Sequence, residues 1–496
     1  MYPQKKAIFA PYTKYFFRPK KGSKTDTRTM KISFHGAART VTGSKHLIET
    51  NKGTRILLDC GLFQGLGEDT LAMNTHFGFD PAQVDVVILS HAHIDHSGLL
   101  PKLVSEGFKG KIYCTPATAD LAKVLLADSA FIQESDVAFV NKRRKAKNLA
   151  PIEPLYTIDD AQKVFPMFEE VPYRQRTEIN SEIAFEFTDT GHILGSAAVH
   201  VDIYEDGKKQ RITFSGDVGR YRDMILRSPE TFPQSDYIII ESTYGDSLHD
   251  DVRGTEEQLL KHIVETCLEN KGKLIIPAFS VGRTQEILYS LNKLEEQGRL
   301  PHLPYLVDSP LSVKTTEIIK QHSELYNDEI QHLMQTDKEP FNFRGLQFIT
   351  DVIDSKALNE MHVPMVIISA SGMAEAGRVK HHIMNNIDNP HNRILLTGYC
   401  EPHSLGAKLM RGDKTVRIFR EEYEVKATVA QIRSMSAHAD YDDLCQFLAC
   451  QEPHLVRSLF IVHGEPDVMD EFQRRMEKKG FKDVVCPAMH QMITLD

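Results

Sequence analysis

The chain has 496 residues, which is longer than one ordinary hydrophobic core supports, so two or three domains are expected. Its formal net charge of −9 does not indicate a nucleic-acid binder, although local basic patches matter more for such binding than the total charge. No apolar stretch is long enough to span a bilayer, and the seven cysteines are scattered without a C-x-x-C pair. The composition therefore argues against a membrane protein and a disulfide framework, and it favours a reduced, cytoplasmic protein.

The first 29 residues are strongly basic, with eight lysines and arginines against the single acid Asp26. No signal-peptide apolar core follows these charges, because the short run after Lys6 is broken by Pro11 and Lys14. We expect residues 1–29 to be a flexible basic arm or an upstream-start artefact before Met30. An organelle presequence is the remaining alternative.

From Met30 onward the pattern predicts short strands bounded by glycine and polar turns. A long helix is expected over 116–148, and its basic run 142–145 is interpreted as a solvated face rather than a nucleic-acid contact. The predicted strands of this region are 31–34, 46–49, 55–58, 84–89, 111–114, 183–188, 197–204 and 211–215.

After residue 236 the strands become continuously apolar and alternate with helices. This pattern indicates a parallel α/β sheet that is covered on both faces. The strands are expected at 237–240, 273–276, 305–307, 365–368 and 393–396, the helices at 255–270 and 284–294, and a late strand at 458–462.

The run His91-Ala-His-Ile-Asp-His96 places three imidazoles and one carboxylate directly after an apolar strand. A strand that ends in such a cluster presents its ligands on a loop at the sheet edge. Imidazole and carboxylate together suit zinc. We expect His91 and His93 to hold one ion, with Asp95 and His96 directed at a second.

Five further polar residues share one placement, at the end of a strand or in a glycine turn. Taken singly, each is more simply explained as structural, but the repeated placement favours a functional set. These residues are Asp59, His192, Asp217, His438 and His463.

Together these residues resemble the metallo-β-lactamase (MBL) superfamily, and the resemblance extends from Met30 to nearly the end of the chain. The H-x-H-x-D-H motif is common to the whole superfamily, whereas four later features are typical of its β-CASP nucleic-acid-processing branch. They are Glu241-Ser-Thr-Tyr-Gly, Pro277-Ala-Phe-Ser-Val-Gly-Arg283, Ala370-Ser-Gly-Met373, and the two late histidines His438 and His463.

The resemblance implies an αββα MBL fold split by an inserted parallel α/β β-CASP domain. The implied domains are a first MBL part at 30–245, the β-CASP domain at 246–435 and a second MBL part at 436–496, after the basic extension 1–29.

The resemblance also implies two zinc ions and a role for each site residue. His91, His93 and His192 would hold one ion, and Asp95, His96 and His463 the other, with Asp217 bridging the pair. Asp95 would also take part in catalysis, Asp59 would orient the cluster and its water, and Glu241 would orient His438 as general acid.

On the β-CASP side, strand–helix turns would receive phosphates of the substrate through amides and guanidinium groups. We call this group the predicted contact set: Ser280, Arg283, Ser371, Gly372, Arg378 and Ser404. Arg283 could instead pair with an acid.

The implied activity is hydrolysis of single-stranded RNA by a hydroxide activated between two metals, in RNA processing, with an endonuclease favoured over a 5′-exonuclease. Three alternatives stay open: a β-CASP DNA nuclease, a superfamily hydrolase of small esters or thioesters, and an inactive RNA-binding subunit. Because every metal ligand is present, the inactive subunit is disfavoured. A homodimer is an expectation of the resemblance alone.

Overall fold

The computed structural model describes residues 29–65, 69–205, 207–250, 254–398 and 400–496. Apart from residue 29, the predicted basic arm lies outside these residues. The described chain forms two seven-stranded sheets, one six-stranded sheet and a small hairpin. The strands are β1 Lys31–Gly36, β2 Lys45–Glu49, β3 Arg55–Leu58, β4 Val86–Ile88, β5 Lys111–Cys114, β6 Phe168–Glu170, β7 Thr177–Asn180, β8 Ile183–Asp189, β9 Ala197–Glu205, β10 Lys208–Phe214, β11 Tyr237–Glu241, β12 Lys273–Pro277, β13 Tyr305–Val307, β14 Leu346–Phe348, β15 Met365–Ser369, β16 Arg393–Leu396, β17 Thr415–Ile418, β18 Glu421–Glu424, β19 Thr428–Gln431, β20 Ser458–Val462, β21 Val484–Val485 and β22 Gln491–Thr494.

The helices lie mainly on the outer faces of these sheets. None of them, over the ranges described above, is long and apolar enough to cross a bilayer. They are α1 Thr70–Thr75, α2 Ile94–Ser97, α3 Leu100–Ser105, α4 Pro116–Ala146, α5 Ile158–Val164, α6 Thr255–Ile263, α7 Arg283–Glu296, α8 Pro310–Gln321, α9 Asp328–Leu333, α10 Val352–Glu360, α11 Arg378–Asn386, α12 Leu405–Met410, α13 Tyr441–Leu448 and α14 Pro466–Lys478.

The two seven-stranded sheets pack face to face and enclose one apolar core. The first has the order β22-β1-β2-β3-β4-β5-β6 and the second β21-β20-β11-β10-β9-β8-β7. Phe34 and Ile88 of the first sheet share a buried cluster with Phe187 and Phe214 of the second. Helices such as α4 cover the outer face of one sheet, and α13 and α14 cover the other. This four-layer arrangement confirms the predicted αββα fold.

The six-stranded sheet is entirely parallel, in the order β14-β13-β15-β12-β16-β19. Its two faces are buried in separate clusters, which contain Ile276 on one side and Ile275 on the other. The prediction of a covered parallel sheet is thus confirmed. The apolar strand at 237 does not belong to it, however. As β11 it pairs in parallel with β10 and β20 of the second sheet, because a strand buried on both faces has the same sequence pattern in either setting.

After the parallel sheet the chain returns to the first two sheets. β20 joins β11 in parallel, and β22 pairs antiparallel with β1 at the edge of the first sheet. The six-stranded sheet is therefore an insertion between β11 and β20. The exact boundaries at 245 and 435 stay predictions.

The helix expected at 255–270 is not uniform. α6 ends at Ile263, and the chain continues as a π-helical turn over Val264–Glu269. The long helix at 116–148 has nearly the expected bounds, but its buried residues end at Ala130. The second half of α4 therefore lies at the surface, with only one side partly covered.

Candidate metal centre

The residues of the predicted centre converge at one edge of the paired sheets. His91 follows β4, Asp217 follows β10 and His463 follows β20. β4 is parallel to β3, and β10, β11 and β20 are parallel to one another, so their carboxyl ends emerge together. Side chains beyond parallel strand ends meet in a crevice, which explains why residues so distant in sequence come together.

Four side chains form the first group of potential metal ligands: His91, His93, His192 and Asp217. Their ligand atoms all lie within 4.8 Å of one another. Nδ1 of His93 lies 3.2 Å from Nε2 of both His91 and His192, and Asp217 Oδ2 lies 3.6 and 3.5 Å from the same two atoms. Four donors at such spacing surround a space that a single cation fits.

A second group consists of Asp95, His96 and His463, again with ligand atoms within 4.8 Å. Nε2 of His463 lies 3.3 Å from Nε2 of His96 and 3.4 Å from Oδ2 of Asp95. Asp217 connects this group to the first. Its Oδ2 lies 3.3 Å from Nε2 of His96, and its Oδ1 lies 3.6 Å from Nδ1 of His463. The buried Oδ1 of Asp217 has no hydrogen-bond partner, which is expected of an atom that ligates a cation.

The electrostatics of the first group favour the metal-binding forms of its residues. Burial lowers the pKa of His93 to about 4 and that of His91 and His192 well below the usual range, so these imidazoles are neutral. Although burial acts in the opposite direction, His463 and His96 hold the pKa of Asp217 well below its usual range. Neutral imidazoles around an ionised carboxylate are the forms that bind zinc.

His96 differs from the other imidazoles. Burial opposes its charge, but the carboxylates of Asp217 and Asp59 raise its pKa well above the usual range. Nδ1 of His96 lies only 2.6 Å from Asp59 Oδ2. Because a ligand must be deprotonated at the ligating nitrogen, a cation in the second group would replace the proton on Nε2.

Asp59 lies behind the centre rather than in it. Besides contacting His96, it accepts hydrogen bonds from the backbone N–H of Ser90 at 2.7 Å and from the Ser90 hydroxyl at 2.9 Å. A carboxylate that holds the far nitrogen of a ligating histidine fixes its ring orientation. The geometry thus agrees with the orienting role predicted for Asp59.

The half-buried His438 and the buried Glu241 form a pair beside the centre, with Nδ1 of His438 3.2 Å from Glu241 Oε1. Burial would favour the neutral ring, but Glu241 and Asp217 raise the pKa of His438 to about 9. Both could belong to an alternative ligand group with Asp217 and His463. The Glu241 oxygens, however, accept backbone N–H bonds from Val218 and Thr243, so they serve as an anchor for His438.

The predicted contact set is mostly engaged inside the β-CASP side. Arg283 is buried and pairs with Glu286, which is the alternative raised from the sequence. Arg378 donates to Asp308 at 2.5 Å and to the carbonyl of Thr350 at 2.7 Å. A phosphate contact by either arginine stays a prediction.

The serines and the glycine of the set also have internal roles. Ser404 caps α12 by accepting from the N–H of Ala407 at 3.1 Å, and Ser280 lies 3.5 Å from Ser309. Ser371 is only half-buried, and a Cβ on Gly372 would collide with the ring of Phe279. Ser371 is thus the most accessible serine of the set.

Three residues of the site were not predicted from the sequence. The hydroxyl of Thr243 lies 3.1 Å from Nδ1 of His463 and 3.5 Å from Nδ1 of His438. It therefore connects the second group to the His438–Glu241 pair. Its position in the Glu241-Ser-Thr motif was a usable signal. The ring of Phe279 approaches His93 with centroids 6.4 Å apart, and its place in the Pro277–Arg283 motif was likewise a usable signal. His249 lies 3.0 Å from the carbonyl of His438 and had no sequence signal.

The buried Lys45 stabilises the backbone next to the His91–His96 loop. The ammonium of Lys45 donates to the carbonyls of Gly43 and Gly61, both at 2.7 Å, and burial lowers its pKa to about 7. Gly61 in turn lies directly against Asp95, so closely that a Cβ at this position would collide with the Asp95 carbonyl. Lys45 therefore supports the backbone on which Asp95 and His96 are carried.

Three family models match successive parts of the chain. They are the metallo-beta-lactamase superfamily over residues 42–277, the Beta-Casp domain over 284–409, and the Zn-dependent metallo-hydrolase RNA specificity domain over 422–487. The chain is 35% identical to Ribonuclease TTHA0252 of Thermus thermophilus, over 91% of this chain and 97% of that protein. It belongs to the β-CASP branch of the metallo-β-lactamase superfamily.

Other relatives agree with this membership. An RNase J-like protein of Methanocaldococcus jannaschii is 33% identical over 88% of this chain and 92% of its own length. Endoribonuclease YSH1 of Eremothecium gossypii is 27% identical over 93% of this chain and 59% of its own. A crystal structure of a protein of unknown function from Enterococcus faecalis shares the fold, with a TM-score of 0.50 and 14% identity over 94% of this chain and all of that one.

The family membership makes this chain a metal-dependent hydrolase, and the two ligand groups are where its divalent metal would bind. The residues fit that use on their own chemistry, because imidazole nitrogens of both groups lie around Asp217 Oδ2, and the buried Oδ1 has no hydrogen-bond partner among the described residues.

Proposed function

We propose that this chain is a metal-dependent ribonuclease that hydrolyses phosphodiester bonds of single-stranded RNA with two zinc ions. The observation that carries the proposal is the bridging position of Asp217 between two ligand groups, next to the His438–Glu241 pair. Relatives named as ribonucleases over nearly the whole chain support the substrate class.

Zinc is proposed for both groups because of their donors. His91, His93 and His192 supply three nitrogens to one ion, while Asp95, His96 and His463 supply two nitrogens and an oxygen to the other. Such mixed nitrogen and oxygen sets suit zinc better than magnesium or calcium, which prefer oxygen alone. When bound, a pair of zinc ions would lower the pKa of water and neutralise charge on the phosphate.

The protein's own part in the chemistry is the handling of protons and charge. His438 has its Nδ1 held by Glu241, and over the part of the chain described here its Nε2 has no hydrogen-bond partner. Glu241 and Asp217 raise the pKa of His438 to about 9 against the effect of burial, which favours the protonated ring. It is therefore suited to give a proton to the departing 3′-oxygen from Nε2, while Glu241 stabilises the charged ring.

We propose that the RNA backbone passes between the metal centre and the β-CASP side. The ring of Phe279 beside His93, with Gly372 packed against it, forms the facing wall. Here Ser371 and the partly exposed Arg378 are the members of the predicted contact set best available to a phosphate. A cytoplasmic location fits seven cysteines that are all free thiols.

The test is cleavage of matched linear and circular single-stranded RNAs by the purified protein, with and without EDTA. We expect metal-dependent cleavage of both, because an endonuclease needs no free end. Cleavage of linear RNA alone would indicate a 5′-exonuclease. Turnover of DNA alone or of small esters alone would identify one of the rival hydrolases, and RNA binding without cleavage would indicate an inactive subunit.

A further inference from the structure

The second half of α4, after Ala130, has a composition that neither the fold nor the metal centre explains. Residues 137–152 contain five basic side chains and no acidic one, within a chain whose net charge is −9. Beyond Ala130 no residue of the helix is buried. We call the residues Phe139, Lys142, Arg143, Lys145 and Lys147 the α4 basic tip.

The charges of the α4 basic tip are not neutralised by the protein. Lys142, Arg143, Lys145 and Lys147 are exposed, and in the described part of the chain none of them forms an ion pair. Favourable interaction with the helix dipole accounts for cations in the last turn only. Arg143 and Lys145 lie in that turn, whereas Lys142 and Lys147 lie outside it and need a further cause.

An aromatic ring lies among these cations. Phe139 is 57% exposed, and the guanidinium of Arg143 lies 4.4 Å from the centre of its ring. A single exposed apolar side chain is ordinary on a protein surface, so the informative feature is the contact of this ring with a cation. Exposed rings beside cations are the combination that binds single-stranded nucleic acid, since bases stack on the ring and phosphates meet the charges.

The tip is held in place by the chain that returns from it. Asn141 donates to the carbonyl of Ile152 and accepts from its N–H, at 2.8 and 2.9 Å. Arg144 donates to the carbonyl of Ala150 at 2.6 Å. These hydrogen bonds fix the end of α4 against the following chain, so its charges lie on a defined surface.

The other end of the same helix lies at the metal centre. Thr115 and Thr118, at the start of α4, donate to the carbonyl of Gly195 at 2.6 and 2.8 Å, in the loop that carries His192. At about 1.5 Å per residue, the 31-residue helix spans about 45 Å. The tip is therefore well outside the reacting centre.

We propose that the α4 basic tip is an outer binding site for single-stranded RNA, contacted by substrate that extends beyond the cleft, and not merely the solvated face that the sequence indicates for residues 142–145. The proposal rests on the proposed ribonuclease function. In an acidic protein, a distant polyanion is attracted only by a local positive surface. At roughly 3.4 Å or more per nucleotide, substrates longer than on the order of ten nucleotides could reach both the centre and the tip.

The test is the triple variant Lys142→Gln, Arg143→Gln and Lys145→Gln in the full chain. Its matched control is Lys109→Gln, Lys338→Gln and Lys482→Gln, which removes three exposed, unpaired charges elsewhere. Binding of a 30-nucleotide oligouridylate should weaken only in the tip variant. The slope of log K for RNA binding against log salt concentration should become shallower by about 0.7 for each lost phosphate contact. Three lost contacts should therefore change the slope by about 2. Cleavage of a six-nucleotide RNA should be unchanged.

A second pair of variants tests the aromatic contact without changing charge. Phe139→Ala should weaken binding of the long RNA at least about five-fold, whereas Phe139→Trp should retain it. Circular dichroism checks that the helix is intact, and sedimentation checks whether the exposed ring instead joins two copies. Equal RNA binding by the tip and control variants, or loss of a dimer without loss of RNA affinity, would overturn the proposal. If the wild type cleaves neither RNA, the ribonuclease function itself fails.

Discussion

The two walls of the site use their polar side chains in opposite ways. At the metal centre, ring nitrogens point at one another around Asp217, and the outer nitrogen of His96 is fixed by Asp59. On the β-CASP side, Arg283 and Arg378 are bonded to acids of their own domain. The metal side is therefore organised before any ligand arrives, whereas the β-CASP side uses most of its polar groups to hold its own turns. Contacts to substrate there depend on the few groups that remain accessible.

Asp217 is where the metal side should be most vulnerable. Asp217→Ala removes the carboxylate that belongs to the first ligand group and also approaches the second, so both metals should be lost, together with several kcal/mol of transition-state stabilisation, or about 10³-fold or more in rate. Elemental analysis and single-turnover RNA cleavage measure the two effects. His463→Ala is the comparison, since it should mainly affect the second ion. An Asp217→Ala protein that retained two metals would contradict the bridging role.

Substitution of His438, in the His438–Glu241 pair, tests proton transfer separately from metal binding. His438→Ala should slow RNA cleavage by about 10²–10⁴-fold, the usual range for a general acid, while metal content stays near two per chain. The exposed His454→Ala serves as control. A substrate whose leaving group needs no proton should recover part of the rate. Loss of a metal ion from His438→Ala would instead make His438 a ligand.

Asp59 offers a smaller change on the same side. Asp59→Asn keeps the size of the side chain but weakens its hold on His96, so affinity for the second ion should fall by about 10–100-fold. Titration with a chelator measures that affinity, and the exposed Asp467→Asn is the matched control. Unchanged affinity in Asp59→Asn would contradict the orienting role of Asp59.

The β-CASP side should respond in stability rather than in rate. Burial raises the pKa of Glu286 to about 7, from an ordinary value of 4.5, even though Arg283 favours its ionised form. The native state therefore holds this proton more tightly than the unfolded state, and stability falls as pH rises from 4.5 to 7, by about 1–3 kcal/mol.

The measurement is thermal unfolding of the wild type and Glu286→Gln between pH 5 and 8. The wild type should lose stability relative to the variant as pH rises, while Glu296→Gln, an exposed change on the same helix, should follow the wild type. Parallel curves for the wild type and Glu286→Gln would show that the carboxyl is ionised in the native state throughout.

The difference between the walls also explains what the sequence could predict. The ligand residues were recognisable because they lie in short motifs at strand ends, where tertiary structure has little freedom to move them. The αββα fold followed from the family resemblance that these motifs carry, and the inserted parallel sheet also from strand patterning. The apolar pattern alone grouped β11 with the inserted sheet, because burial on both faces looks alike in either sheet, whereas the domain bounds implied by the resemblance placed it in the first MBL part.

Features that depend on distant packing were less accessible. The Arg283–Glu286 pair is visible in the sequence as an i,i+3 spacing, but its burial is not. His249 reaches the carbonyl of His438 across 189 positions of the chain, and no local pattern predicts such a contact. The π-helical turn after α6 likewise has no signal in the apolar periodicity.

The return of the chain after the insertion has a consequence for how the enzyme is made. His96 and His463 are separated by 367 residues, yet both belong to the second ligand group. During synthesis the residues of the first group are all present once Asp217 has left the ribosome, but the second group needs His463, which follows β20. A nascent chain thus passes through a long interval in which only one metal position can exist, and the complete centre forms only after the whole insertion and β20 have been made.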